Sequence, residues 1–70
     1  MKDLGKTIAK YRKEHKLNQS QLAKELENYD IYVKQNSIST WELGTATPNA
    51  RQFLALCEIL EIYDIYTEFV

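Results

Sequence analysis

Apolar positions recur along most of this 70-residue chain at helical spacing. Leu4, Ile8 and Tyr11 fall at i, i+4 and i+7, which lines one face of a first helix running to about His15. Lys16 and Leu17 make a short turn. Asn18 can then accept from the free amides of a new helix, and Gln21 can reach back, so Asn18-Gln19-Ser20-Gln21 predicts a variant capping box. Leu22, Ala23 and Leu26 give that second helix one apolar face, and it ends near Glu27 or Asn28. Residues 29–33 alternate tyrosine, isoleucine and valine with Asp30 and Tyr32, which suits extended chain better than helix. Helical spacing resumes with Ile38 and Trp41, and Gly44 supplies a left-handed stop. This third helix, residues 35–43, is short and polar. Residues 45–49, with Pro48, read as a loop. Phe53, Leu54, Leu56, Cys57 and Leu60 predict a strongly apolar fourth helix, and Asp64 caps a fifth over residues 65–70. The pattern is all-α, with five helices.

Composition narrows the class. Seventy residues form one domain, 1–70, and so short a chain buries only about 60% of its unfolded surface. The single cysteine, Cys57, has no partner for an internal disulfide, and it sits among Leu54, Leu56 and Leu60 as a small core residue. One histidine and one cysteine far apart make no metal site, and no cofactor is expected. His15 closes the first helix and interacts with its negative end. No run of about 18 apolar residues occurs, and Lys2 is followed by Asp3 and Leu4, not by an apolar signal segment. These features predict a cytoplasmic protein without a membrane partner. No carboxylate pair, Ser-His arrangement or phosphate-cradling glycine loop is present, so no enzyme is expected.

The net charge of −1 argues weakly against a nucleic-acid partner, but its distribution is uneven. Residues 1–24 carry seven basic side chains (Lys2, Lys6, Lys10, Arg12, Lys13, Lys16, Lys24) against two acidic ones, and the remainder carries two against eight. Lysines at helical spacing are also what any solvated face carries, so the polarity alone decides nothing.

Two short helices joined by a turn, the second opening with small amides and hydroxyls, is an arrangement that brings side chains to base edges in the major groove. Leu17-Asn18-Gln19-Ser20-Gln21-Leu22-Ala23, then Ile38-Ser39-Thr40-Trp41-Glu42-Leu43-Gly44 and Pro48, resemble the signature of the phage repressor and Cro-type family, also called Xre-like, over about residues 4–65. The resemblance implies a five-helix lambda-repressor-like helix-turn-helix domain that binds double-stranded DNA. The chain departs from the family in a turn between helices two and three that is about five residues longer, an insertion whose length costs little. Residues 27–34 there form either a surface loop packed down by Ile31 and Val33, or an arm whose Tyr29, Tyr32 or Lys34 reaches the DNA backbone.

By that resemblance and by their chemistry, Gln35, Asn36, Ser37 and Thr40 are expected at base edges, where glutamine or asparagine pairs with adenine through a donor and an acceptor. Ile38 and Trp41 point into the core. Asn18 and Gln19, beside the free amides of the second helix, are expected at phosphates, with Lys34, Thr45, Thr47 and Asn49. Lys6, Lys10 and Lys13 add long-range attraction. The resemblance also implies a structural ion pair between Arg12 and Glu42. With so few positive charges, one copy binds weakly, which predicts a homodimer on a palindromic operator. The apolar ending on Phe69 and Val70 either caps the core or feeds a dimer contact or a further domain. Its pattern is similar to LexA-like and phage repressors with a C-terminal dimerisation half. Expected function is therefore a transcriptional repressor, with two alternatives: an antitoxin-type autoregulator of the same fold, or a protein-interaction module using residues 29–33.

Overall fold

The computed structural model describes residues 3–70; Met1 and Lys2, the latter counted above in the basic half, lie outside them. The described chain is five helices: α1 (Leu4–Glu14), α2 (Gln19–Leu26), α3 (Gln35–Leu43), α4 (Ala50–Ile59) and α5 (Ile65–Phe69), with a 3-10 turn, Glu27–Tyr29, prolonging α2.

Side-chain caps begin four of the helices. Asp3 accepts from the amide of Lys6 at 2.9 Å to open α1, and Asp64 accepts from Thr67 at 3.2 Å to open α5. At α2 the Asn18 side chain takes the Gln21 amide at 2.7 Å while the Gln21 side chain takes the Asn18 amide at 2.8 Å. The same reciprocal box, Asn49 with Gln52, opens α4, with both bonds at 2.8 Å. That box starts α4 at Ala50, three residues before the apolar run that predicts it. Each box satisfies two amides that would otherwise lack partners.

Four helix ends share another device. Lys16, Asp30, Glu61 and Gly44 all adopt positive φ, between 56° and 82°. In each case the next residue donates its N–H to a carbonyl five positions back: Leu17 to Arg12, Ile31 to Leu26, Ile62 to Cys57 and Thr45 to Thr40, at 2.8–3.2 Å. This is the Schellman closure, and in three of the four the following residue is apolar and turns into the core. The inserted segment is built this way. Tyr29 belongs to the 3-10 turn and is not extended; Asp30 stops it, Ile31 is buried, and residues 31–34 lead into α3 without regular structure, with Lys34 extended.

The core is formed by Ile8, Leu22, Leu26, Ile38, Leu56, Leu60 and Ile62, with Trp41 buried beside them. Leu54, an expected core residue, is instead 58% exposed, because three residues of helix separate it by about 300° from Arg51 and leave both on the outer side of α4. Cys57 is buried, and desolvation raises its thiol pKa. Phe69 closes the bundle edge-to-face on Phe53, with centroids 4.9 Å apart. The start of α1 lies hard against the end of α3. A Cβ on Gly5 would come within 2.5 Å of the carbonyl oxygens of both Trp41 and Glu42, so only glycine permits this approach. Among the described residues no helix is long and apolar enough to cross a membrane.

Candidate nucleic-acid interface

At 100° per residue, Gln35, Ser39, Leu43, Asn36 and Thr40 occupy one arc of about 140° on α3. Ile38 and Trp41 occupy the opposite side as core residues, and Glu42 lies about 20° from Gln35, just outside the edge of the arc. Gln35 and Asn36 are exposed, and Leu43 is 75% exposed at the centre of the arc. Ser37 falls outside it, half-buried on the flank, where its carbonyl accepts from the Thr40 hydroxyl at 2.8 Å. Ser39, inside the arc, was not among the residues expected at base edges. The helical angle that separates it from Ser37 was available in the sequence.

Behind this arc a polar relay crosses three helices. Arg12, 9% exposed, sends Nε to Glu42 Oε2 at 2.6 Å and Nη2 to Glu42 Oε1 at 3.0 Å. Its Nη1 donates to the Leu17 carbonyl at 2.8 Å, so the guanidinium holds the α1–α2 turn and the end of α3 together. Gln19 Nε2 donates to Glu42 Oε1 at 3.0 Å, and Gln35 Nε2 donates to Gln19 Oε1 at 2.6 Å. The donor direction along the relay follows from its inner end. A carboxylate only accepts, so Gln19 must turn its NH₂ inward and its oxygen outward. Gln35 must then spend one N–H on Gln19, which leaves its Oε1 and second N–H facing out. No buried side-chain nitrogen or oxygen among the described residues lacks a partner.

The remaining expected contacts surround this face unevenly. Lys34 is exposed and precedes α3 without a side-chain cap, so the first amides of α3 carry no side-chain partner. Asn18 and Asn49 use their side-chain oxygens in the capping boxes, leaving the NH₂ groups for other partners. Thr45 and Thr47 are exposed after α3, and the Thr45 hydroxyl donates back to the Thr40 carbonyl at 3.3 Å. Lys6, Lys10 and Lys13 are exposed on α1, with the Lys10 ammonium 5.3 Å from the Tyr11 ring centroid. Among the described residues no group of histidine, cysteine, aspartate or glutamate is arranged to hold a metal ion.

Two short helices, α2 and α3, with α3 tied to α1 by a buried ion pair and presenting amides and hydroxyls outward, define a helix-turn-helix protein. The family described as "Helix-turn-helix domain" matches residues 5–66, and the chain belongs to it. The class is that of DNA-binding regulators. No curated protein and no solved structure matches the chain.

Proposed function

We propose that this protein is a sequence-specific transcriptional repressor that lays α3 in the major groove of a palindromic operator, two copies reading half-sites about one DNA turn apart. The observation that carries the reading is the relay from Arg12 through Glu42 and Gln19 to Gln35. It holds the Gln35 amide with an acceptor and a donor outward, the pair that adenine presents a match for in the major groove through its N6 amino group and N7. Asn36 and Thr40 flank it as base contacts, with Ser37 at the margin and Ser39 added by its place on the arc. Asn18, Gln19 through its backbone amide at the start of α2, Lys34, Thr45, Thr47 and Asn49 are the phosphate contacts of this reading. Their one formal charge, on Lys34, is why a single copy binds weakly and why two copies are needed.

Selection of bound sites from random duplex DNA tests the reading. An enriched palindrome is expected, and a pool without one overturns it. Gln35→Ala should relax preference at one base position of each half-site at a cost of about 1–3 kcal/mol there, while affinity for unrelated DNA stays as it was.

A further inference from the structure

The outer side of α4 is built to meet itself. Arg51, Leu54 and Glu58 stand at i, i+3 and i+7 and are all exposed, and Leu54 leaves 58% of its surface in solvent. Beside this stripe lies an apolar groove of about 280 Å³ lined by Tyr29, Ile31, Arg51, Leu54 and Ala55. Tyr63 is also 68% exposed. Among the described residues neither Arg51 nor Glu58 has an ion-pair partner. Arg51 is nonetheless steadied: its Nη2 donates to the Tyr29 carbonyl at 3.1 Å, which leaves its other N–H groups outward.

The spacing has a twofold consequence. In an isologous contact, residue i of one copy meets residue j of the other, and j meets i. The midpoint of Arg51 and Glu58 falls between Leu54 and Ala55. Two α4 helices packed antiparallel about that point set Leu54 against Leu54 at the axis and Arg51 against Glu58 on both sides, about 5 Å from the axis along the helix. From this placement we infer that α4 of one copy packs antiparallel on α4 of a second copy through Leu54 and two reciprocal Arg51–Glu58 ion pairs. The partner is thus a second copy of this chain, because a plus, apolar, minus stripe is its own complement when reversed. This deepens the twofold operator reading and rests on it for its use. One ten-residue helix face with flanking tyrosines falls short of the about 800 Å² per partner that a stable interface buries. The pairing is therefore weak free in solution and takes effect when two copies lie on neighbouring half-sites.

Sedimentation equilibrium of the full chain, without DNA, tests it. Wild type is expected to self-associate with a Kd of about 0.1–1 mM. Arg51→Glu and Glu58→Arg each turn both ion pairs into repulsions and should each weaken self-association at least about tenfold, whereas an equimolar mixture of the two rebuilds both pairs and recovers it. Leu54→Asp should abolish association with its helical circular dichroism unchanged. A wild type that stays monomeric above about 1 mM overturns the inference, as do single reversals that associate like wild type or a mixture that fails to recover. Because no DNA is present, such a failure leaves the operator reading to the site selection, and a missing palindrome with an intact charge swap removes that reading alone.

Discussion

The last turns of α1 make two ion pairs that differ in kind. Arg12 meets Glu42 with side chains only 10% and 9% exposed, through two nitrogens on two oxygens. His15, one turn later, meets Glu61 through one contact of 3.0 Å, with side chains 27% and 64% exposed. The first faces the reading helix and the second faces the turn between α4 and α5. An enclosed pair with further hydrogen bonds cannot lose a member without stranding the other charge, whereas a solvated pair gives its partner back to water. Near its C-terminal end α1 is therefore held rigidly to α3 and the α1–α2 turn through Arg12, and only loosely to the turn between α4 and α5 through His15.

Removing Glu42 tests the enclosed pair most severely. Glu42→Ala strands the Arg12 guanidinium and the Gln19 amide together and is expected to cost about 3–5 kcal/mol. That approaches the whole stability of a domain this size, roughly 4–10 kcal/mol. Chemical denaturation measures it, and a midpoint equal to wild type would mean that the pair is solvated after all. Glu61→Ala, in the solvated pair, serves as the contrast and should shift the midpoint little.

Gly5→Ala probes the packing of α1 on α3 at the other end of α1, by volume instead of charge. At an open helical position this change stabilises by about 1 kcal/mol, since alanine is the better helix former. Here the added methyl meets two backbone carbonyls of α3 at 2.5 Å, so the expected sign is reversed, with a loss of about 1–3 kcal/mol. A thermal melt reads the sign directly, and a stabilised variant would show that α1 and α3 do not approach this closely.

Much of this architecture was legible because its signals are periodic or local. The five helices follow from apolar spacing, and the Asn18–Gln21 box follows from four adjacent residues. Asn49–Gln52 is the same chemistry, but the apolar positions of α4 begin only at Phe53 and give no sign of its first turn or of the capping role of Asn49. Hydrophobicity without phase also put Leu54 in the core. The relay could be read only in part. Arg12 with Glu42 came from resemblance, but Gln19 and Gln35 lie sixteen residues apart across an insertion, and no local pattern links them. Least visible were the helix stops at Lys16, Asp30 and Glu61, because positive φ is announced by glycine and these residues are not glycine. This yields a smaller prediction at the turn between the two ion pairs. Lys16→Gly relieves the left-handed strain of a side chain, partly offset by the freer unfolded chain, and should stabilise by about 1 kcal/mol or less in a thermal melt. A destabilised variant would place the stabilising contribution in the lysine side chain and not in the backbone.

The smallest expected effect belongs to the loose pair and depends on pH. His15 Nδ1 lies 2.9 Å from the Tyr11 carbonyl and Nε2 lies 3.0 Å from a Glu61 oxygen. Both neighbours are acceptors, so both ring nitrogens must donate, which only the imidazolium can do. The Tyr11 carbonyl, then Glu61 and the nearby Glu14, accordingly raise the His15 pKa, against a lowering by burial. A pKa higher folded than unfolded means that the protonated ring favours the folded state. The contribution is complete below the unfolded value of about 6.5 and is lost as pH rises through the folded one. Exposure and salt screening hold it under about 1 kcal/mol. Denaturant midpoints of wild type and His15→Gln should therefore differ most near about pH 5.5 and converge at alkaline pH. A difference that grows with pH would reverse the sign, and His15 would then act in the neutral form with one of its two contacts unmade.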